Sequence, residues 1–66
     1  MELVINGKPE ELPDGINAAQ LIDHLGLGGQ RVAMEVNREI LPRSDFEQRI
    51  LQTGDRIEIV RAIGGG

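Results

Sequence analysis

Apolar and polar residues alternate at both ends of the chain, and a helical spacing separates those two stretches. Leu3-Val4-Ile5 is a short β-branched run that stops at Asn6-Gly7. Asn-Gly is a strong hairpin signal, because both positions of a tight turn need positive φ. A second strand follows from Lys8 to about Leu12, and Pro9, which has no N–H to give, makes it an edge strand or an irregular one. Pro13-Asp14-Gly15 turns the chain. Asn17, with Gln20 three residues later, has the form of a capping box and predicts a helix over 18–25. Its apolar stripe is Leu21, Ile22 and Leu25, Gly26 is the left-handed residue after it, and Leu27 packs back.

The second half reads as strands again. From Arg31 to Asn37, Val32, Met34 and Val36 fall on one face. Arg38-Glu39 turns, and Ile40-Leu41 is a short strand stopped by Pro42. Ser44 with Glu47 has capping-box spacing and predicts about one helical turn that carries Phe46 and Ile50 inward. Thr53-Gly54-Asp55 is a turn, and Arg56 to Ala62 is the last strand, with Ile57 and Ile59 inside. The order is that of an α+β domain: a mixed sheet (ββαββ, with the short strand before the last) and one main helix packed on one face. A crossover through that helix is expected to set the third strand parallel to the first. The expected core is Leu3, Ile5, Leu21, Ile22, Leu25, Val32, Met34, Val36, Phe46, Ile50, Ile57 and Ile59. Val4, Ala33, Val60 and Ala62 then fall on the other sheet face, among Glu2, Glu35 and Glu58, a modest patch that reads equally as scattered surface residues or as a docking surface for a partner. Residues 1–62 form the domain and 63–66 a flexible glycine tail.

Composition narrows what such a domain can do. With 66 residues there is one small core of marginal stability. The net charge of −4 and a single aromatic residue, Phe46, argue against nucleic acid, which needs basic side chains and stacking surfaces. No apolar run reaches the ~20 residues of a membrane span. The lack of cysteine rules out disulfides, thiolate metal sites and a cysteine nucleophile, and with no signal peptide the expected location is the cytoplasm. His24 reads as an ordinary solvated residue, and no carboxylate spacing suits a metal or acid–base pair. Gly26-Leu27-Gly28-Gly29 follows a helix and lacks a Gly-Lys-Ser/Thr ending, so it is a helix cap and not a phosphate loop. An enzyme is not expected.

The tail remains. Gly64-Gly65-Gly66 has no Cβ to obstruct a narrow channel, and it ends in an α-carboxylate. Taken alone, such a stretch is also what a loose chain end looks like. The last four residues reach at most ~14 Å when extended.

The whole chain resembles the ThiS family of sulfur carriers in thiazole (thiamine) biosynthesis, which has the ubiquitin-like β-grasp fold. The resemblance rests on the opening strand with Asn6-Gly7, on Asn17-Ala18-Ala19-Gln20-Leu21-Ile22, and on Val36 through Arg43. It continues with Gly54-Asp55-Arg56-Ile57 and the end Ile63-Gly64-Gly65-Gly66. Gly64 is the one departure, at a position where the family varies. The resemblance implies that the Gly66 carboxylate is adenylated by a ubiquitin-activating-type adenylyltransferase. A cysteine-persulfide sulfur donor then converts it to a thiocarboxylate that serves thiazole synthase. ATP and sulfur would be used by those partners, with no cofactor or metal on this chain, which is expected to be a monomer when free. Val60, Ala62, Ile63, Gly64 and Gly65 would meet the partners. Alternatives on the same residues are a carrier for molybdopterin or another pathway, a protein modifier, and a plain interaction module. Lys8, the only lysine, makes self-conjugation a poor prospect.

Overall fold

The computed structural model describes residues 1–61; the tail and the domain boundary at residue 62 lie outside the described residues. The elements are β1 Glu2–Ile5, β2 Lys8–Glu11, α1 Ala18–His24, β3 Val32–Val36, β4 Glu39–Leu41, a 3₁₀ turn Arg43–Asp45 and β5 Arg56–Arg61. The sheet order is β2-β1-β5-β3-β4. β5 runs parallel to β1 and antiparallel to β3, and each hairpin is antiparallel. This is the mixed-sheet, one-helix arrangement of a ubiquitin-like β-grasp. No helix among the described residues is long and apolar enough to cross a membrane.

The expectation for the third strand was wrong. β3 is antiparallel to β1, since both border β5 and run in opposite senses relative to it. The helix leaves β2, so β2 is the strand to which the crossover makes β3 parallel. The last strand, not the third, lies parallel to the first.

The helix has seven residues, too short to persist in water without tertiary contacts. Both its ends are closed. Gln20 N–H donates to Asn17 Oδ1 at 2.7 Å, and Asn17 N–H donates to Gln20 Oε1 at 2.9 Å. At the other end Gly26 has φ +76°, Gly26 N–H reaches Asp23 O, and Leu27 N–H reaches Ile22 O, each at 3.0 Å. Those two bonds define a Schellman cap. The buried face, Ala18, Leu21 and Ile22, joins Leu3, Ile5, Met34, Val36, Phe46, Ile57 and Ile59 in the core.

Three core positions escaped the sequence reading, and one was misplaced. Leu12, Ala18 and Leu51 are buried, whereas Ile50 is 51% exposed. Turns continue through Gln48, with Arg49 N–H bonding Asp45 O at 3.0 Å, but the chain is extended by Ile50, so the turn does not carry Ile50 inward. Ala18 N–H bonds Arg49 O and Leu51 N–H bonds Ile16 O, with Asn17 and Ile50 bridged between them. Alternation along an extended chain points Ile50 out and Leu51 in. Ser44 is not a cap either. It sits inside the 3₁₀ turn, whose N-cap is Pro42, with no side-chain cap bond. Leu25 and Val32 are half-buried at the core margin.

Two asparagines hold the central strand from either side. Each opens a two-residue hairpin loop with φ near +50°: Asn6 between β1 and β2, Asn37 between β3 and β4. The second turn is thus Asn37-Arg38, one residue earlier than expected. Asn tolerates this left-handed conformation better than most residues. The Asn6 side chain pairs with the Ile59 main chain, donating to its O at 3.2 Å and accepting from its N–H at 2.8 Å. It extends the β1–β5 ladder past the point where β1 turns away. Asn37 Oδ1 accepts from Arg56 N–H at 3.0 Å, and Nδ2 donates to Asp55 Oδ1 at 3.1 Å.

Arg38 occupies the position that Gly7 fills in the first loop, with φ +70°. A side chain there costs about 1–2 kcal/mol, partly offset by its smaller freedom when unfolded. Arg38→Gly is therefore expected to stabilise the fold by roughly 0.5–1 kcal/mol in urea titration. A loss of stability would show that the loop carries no such strain.

The Met1 ammonium ties the start of β1 to the far end of β2. It donates to Leu12 O at 2.6 Å and lies 2.8 Å from Asp14 Oδ1 and 3.4 Å from Glu11 Oε2. The hydrogen bond to Asp14, and then that to Glu11, raises its pKa above the ordinary value against an opposing desolvation. Its stabilising contribution is complete below the ordinary value and lost as pH rises through the raised one.

Candidate functional site

The sheet has two faces, and α1 covers only one. Strand register fixes what lies on the other. Ala33 is opposite Val60, and Glu35 stands between Glu58 on one side and Ile40 on the other. Ala33, Glu35, Ile40, Glu58 and Val60, with part of Met34, line a shallow depression of about 190 Å³. Val60 is 62% and Ile40 78% exposed, the two most exposed large apolar side chains among the described residues.

Val60 and Ala33 are therefore where the sequence placed them. Val4 is half-buried and shares the face, but it pairs with Pro9 and Arg56, so it stands on the β1 side and outside the depression. Ile40 was missed as a surface residue. The signal for it was the two-residue loop at 37–38, which sets Glu39 opposite Val36 and hence Ile40 opposite Glu35. Ala33, Ile40 and Val60 give the lining its apolar part and Glu35 and Glu58 its acidic part, a combination suited to an apolar partner surface with basic neighbours.

Val60 lies on the central strand, one residue before the last described one, Arg61. β5 is bordered by β1 and β3, and the Asn6 carboxamide closes the gap beside Ile59. The strand that leads into Ala62, Ile63, Gly64, Gly65 and Gly66 is thus the central one, paired on both sides. Those five expected site residues themselves lie outside the described residues.

Little else offers chemistry. No group of three or more metal-ligating side chains occurs among the described residues. His24 is exposed at the end of α1. The Gly26–Gly29 stretch is the helix cap and its following loop, as read.

The ThiS family model matches residues 3–66. The chain belongs to the ThiS family. It is 29% identical to the sulfur carrier protein ThiS of Escherichia coli, with all of both chains covered. The crystal structure of the thiamine biosynthesis protein ThiS from Geobacter metallireducens superposes with a TM-score of 0.86 at 32% identity, again over all of both chains. A thiazole synthase of Paramagnetospirillum magneticum is 41% identical over the whole of this chain, which spans 20% of that protein's length. The chain likewise spans a fifth of a similar thiazole synthase from Magnetococcus marinus, at 35% identity. The family is one of small sulfur carriers in thiamine biosynthesis, and the fold matches that of a solved member.

Proposed function

We propose that this chain carries sulfur for thiazole formation on the carboxylate of Gly66. The observation that carries the proposal is the match to a sulfur carrier family through residue 66, which includes the terminal glycines. A carboxylate is a poor electrophile, and the sequence has no phosphate-loop motif with which to activate it using ATP. An adenylyltransferase of the ubiquitin-activating type would therefore join the carboxylate oxygen to the α-phosphorus of ATP and expel pyrophosphate. The terminal sulfur of a cysteine persulfide then attacks the acyl carbon and AMP leaves. Cleavage of the resulting sulfur–sulfur bond by a thiol frees the thiocarboxylate, which delivers its sulfur to thiazole synthase. Relatives named thiazole synthase that contain a stretch this similar support that acceptor. The chain acts as a co-substrate and binds neither ATP nor metal itself. The cytoplasm, where all three partners would work, is its proposed location.

Val60, Ala62, Ile63, Gly64 and Gly65 would guide the terminus into the partners, and Ile40 joins Val60 as a contact on the body. Narrow access explains the glycines: backbone without Cβ passes where a side chain would not. Replacing Ile40 or Val60 with Glu is expected to weaken adenylyltransferase binding by roughly 10- to 100-fold, the range of a lost apolar anchor. Both side chains are exposed, so the unfolding midpoint should hardly move. Titration calorimetry with unchanged affinity for both variants would remove this face from the interface.

The central test is intact mass after incubation with ATP, a sulfur donor and the activating enzyme. Exchange of one terminal oxygen for sulfur identifies a carrier. Adducts on lysines of other proteins would identify a modifier, and an unchanged mass beside a competent enzyme would leave an interaction module. Thiazole formation from the loaded chain and purified thiazole synthase then separates this pathway from molybdopterin synthesis.

A further inference from the structure

Asn6 does two things at once. Its carboxamide is, among the described residues, the group that continues the β1–β5 ladder beside Ile59, and it precedes Gly7. An asparagine followed by glycine is chemically unstable, because no Cβ shields the next main-chain nitrogen from the carboxamide carbon. In the structure both residues are exposed, and the space where a Gly7 Cβ would stand is empty to 4 Å.

We propose that Asn6 is a site of spontaneous conversion to aspartate and isoaspartate, restrained in the folded protein by its own clamp on Ile59. The Gly7 nitrogen, on losing its proton, attacks Asn6 Cγ. The Cγ–Nδ2 bond breaks, and ammonia leaves with that proton. Water then opens the five-membered succinimide at either carbonyl. No oxidant, reductant or other co-reactant is needed. The clamp opposes the first step, since cyclisation must swing the carboxamide away from both Ile59 groups. It therefore requires that this edge of β5 be open.

The products cannot restore the clamp. In aspartate, the donor to Ile59 O is replaced by a carboxylate oxygen facing that carbonyl at about the present 3.2 Å. In isoaspartate, an extra methylene enters the main chain of a loop built on left-handed φ at both positions. In aspartate the Ile59 N–H keeps an acceptor, but its O loses its donor and faces a negative charge. Either way Ile59 loses at least half of the clamp two residues before the strand ends at Arg61. Conversion of this one amide thus loosens the stretch of β5 nearest the tail. The proposal concerns the chain's own chemistry and stands whether or not the chain carries sulfur.

The test is peptide mapping of the full chain after incubation at mildly alkaline pH, folded and in urea, with separation of aspartate from isoaspartate. Asn37, followed by Arg38, and Asn17, followed by Ala18, are internal controls. In urea, Asn6 should convert faster than either. Folded, it should convert at least roughly tenfold more slowly than in urea, because reaction waits on local opening. Equal rates folded and unfolded, or conversion in urea no faster than at Asn37, would overturn the proposal. In Asn6→Gly, which keeps the left-handed turn and removes both clamp bonds, hydrogen exchange at the Ile59 amide should rise about tenfold while that at Arg56, held by Asn37, stays unchanged. Exchange at Ile59 as slow as in the parent chain would also overturn it.

Discussion

Deleting Gly66 is expected to abolish sulfur loading while leaving the unfolding curve where it is. The two readouts separate because the last described strand ends at Arg61, five residues upstream, and a glycine has no side chain to bury. Removing one residue draws the carboxylate back by up to ~3.5 Å. Adenylation needs the attacking oxygen near contact distance from phosphorus, and a misplacement of 1 Å can already cost about 10²-fold. Withdrawal by more than that should take the loading rate to background. Adding one alanine after Gly66 should do the same by displacing the carboxylate forward. Gly65→Ala should be milder, slowing loading by obstructing passage but leaving the terminus in register. Single-turnover thiocarboxylate formation, read by intact mass, checks all three. Loading of the truncated chain within a few-fold of the full-length rate would show that Gly66 does not carry the chemistry, however well the family matches.

Local chemistry was legible in the sequence, and long-range arrangement was not. Asn6-Gly7, Asn17 with Gln20, and Gly26 with Leu27 each specify a backbone conformation within a few residues, and all three are found as read. The strand order needed information no local window holds. That β5 enters the middle of the sheet follows from pairings between residues some fifty positions apart, Val4 with Arg56 and Ile5 with Ile57. Counting the crossover from β1 when the helix in fact leaves β2 reversed β3. The site was legible in halves. Val60 fell on the open face by simple alternation from Ile57 and Ile59, whereas Ile40 needed the length of the loop before it. Asn6 was read as a turn residue, and nothing in its neighbourhood reveals that its side chain reaches Ile59. The role of the glycines came from their chemistry and the family resemblance, since they lie outside the described residues.

The pair Ile50 and Leu51 offers the sharpest test of the fold itself. Helical continuation from Phe46 would bury Ile50, while the extended pairing with Ile16 and Ala18 buries Leu51 to 2% exposure and leaves Ile50 51% exposed. Leu51→Ala is expected to cost about 3 kcal/mol, since it removes buried methyl groups and leaves a cavity that a small core only partly fills. A domain of this length has roughly 3–10 kcal/mol in total, so the variant should sit near the edge of folding. At about 4–8 °C for each kcal/mol, its melting temperature should fall by roughly 12–24 °C. Ile50→Ala loses a side chain that water already covers by half, and it should cost less than about 1 kcal/mol. The Asn17 cap would feel the difference. Leu51 N–H bonds Ile16 O, next to Asn17, and the Asn17 side chain also donates to Glu47 O at 3.2 Å. Loosening this segment should therefore lower amide protection in the first turn of α1 together with the melting point. Thermal unfolding of the two variants decides between the arrangements. A larger loss for Ile50→Ala than for Leu51→Ala would restore the helical turn and with it a different underside to the sheet.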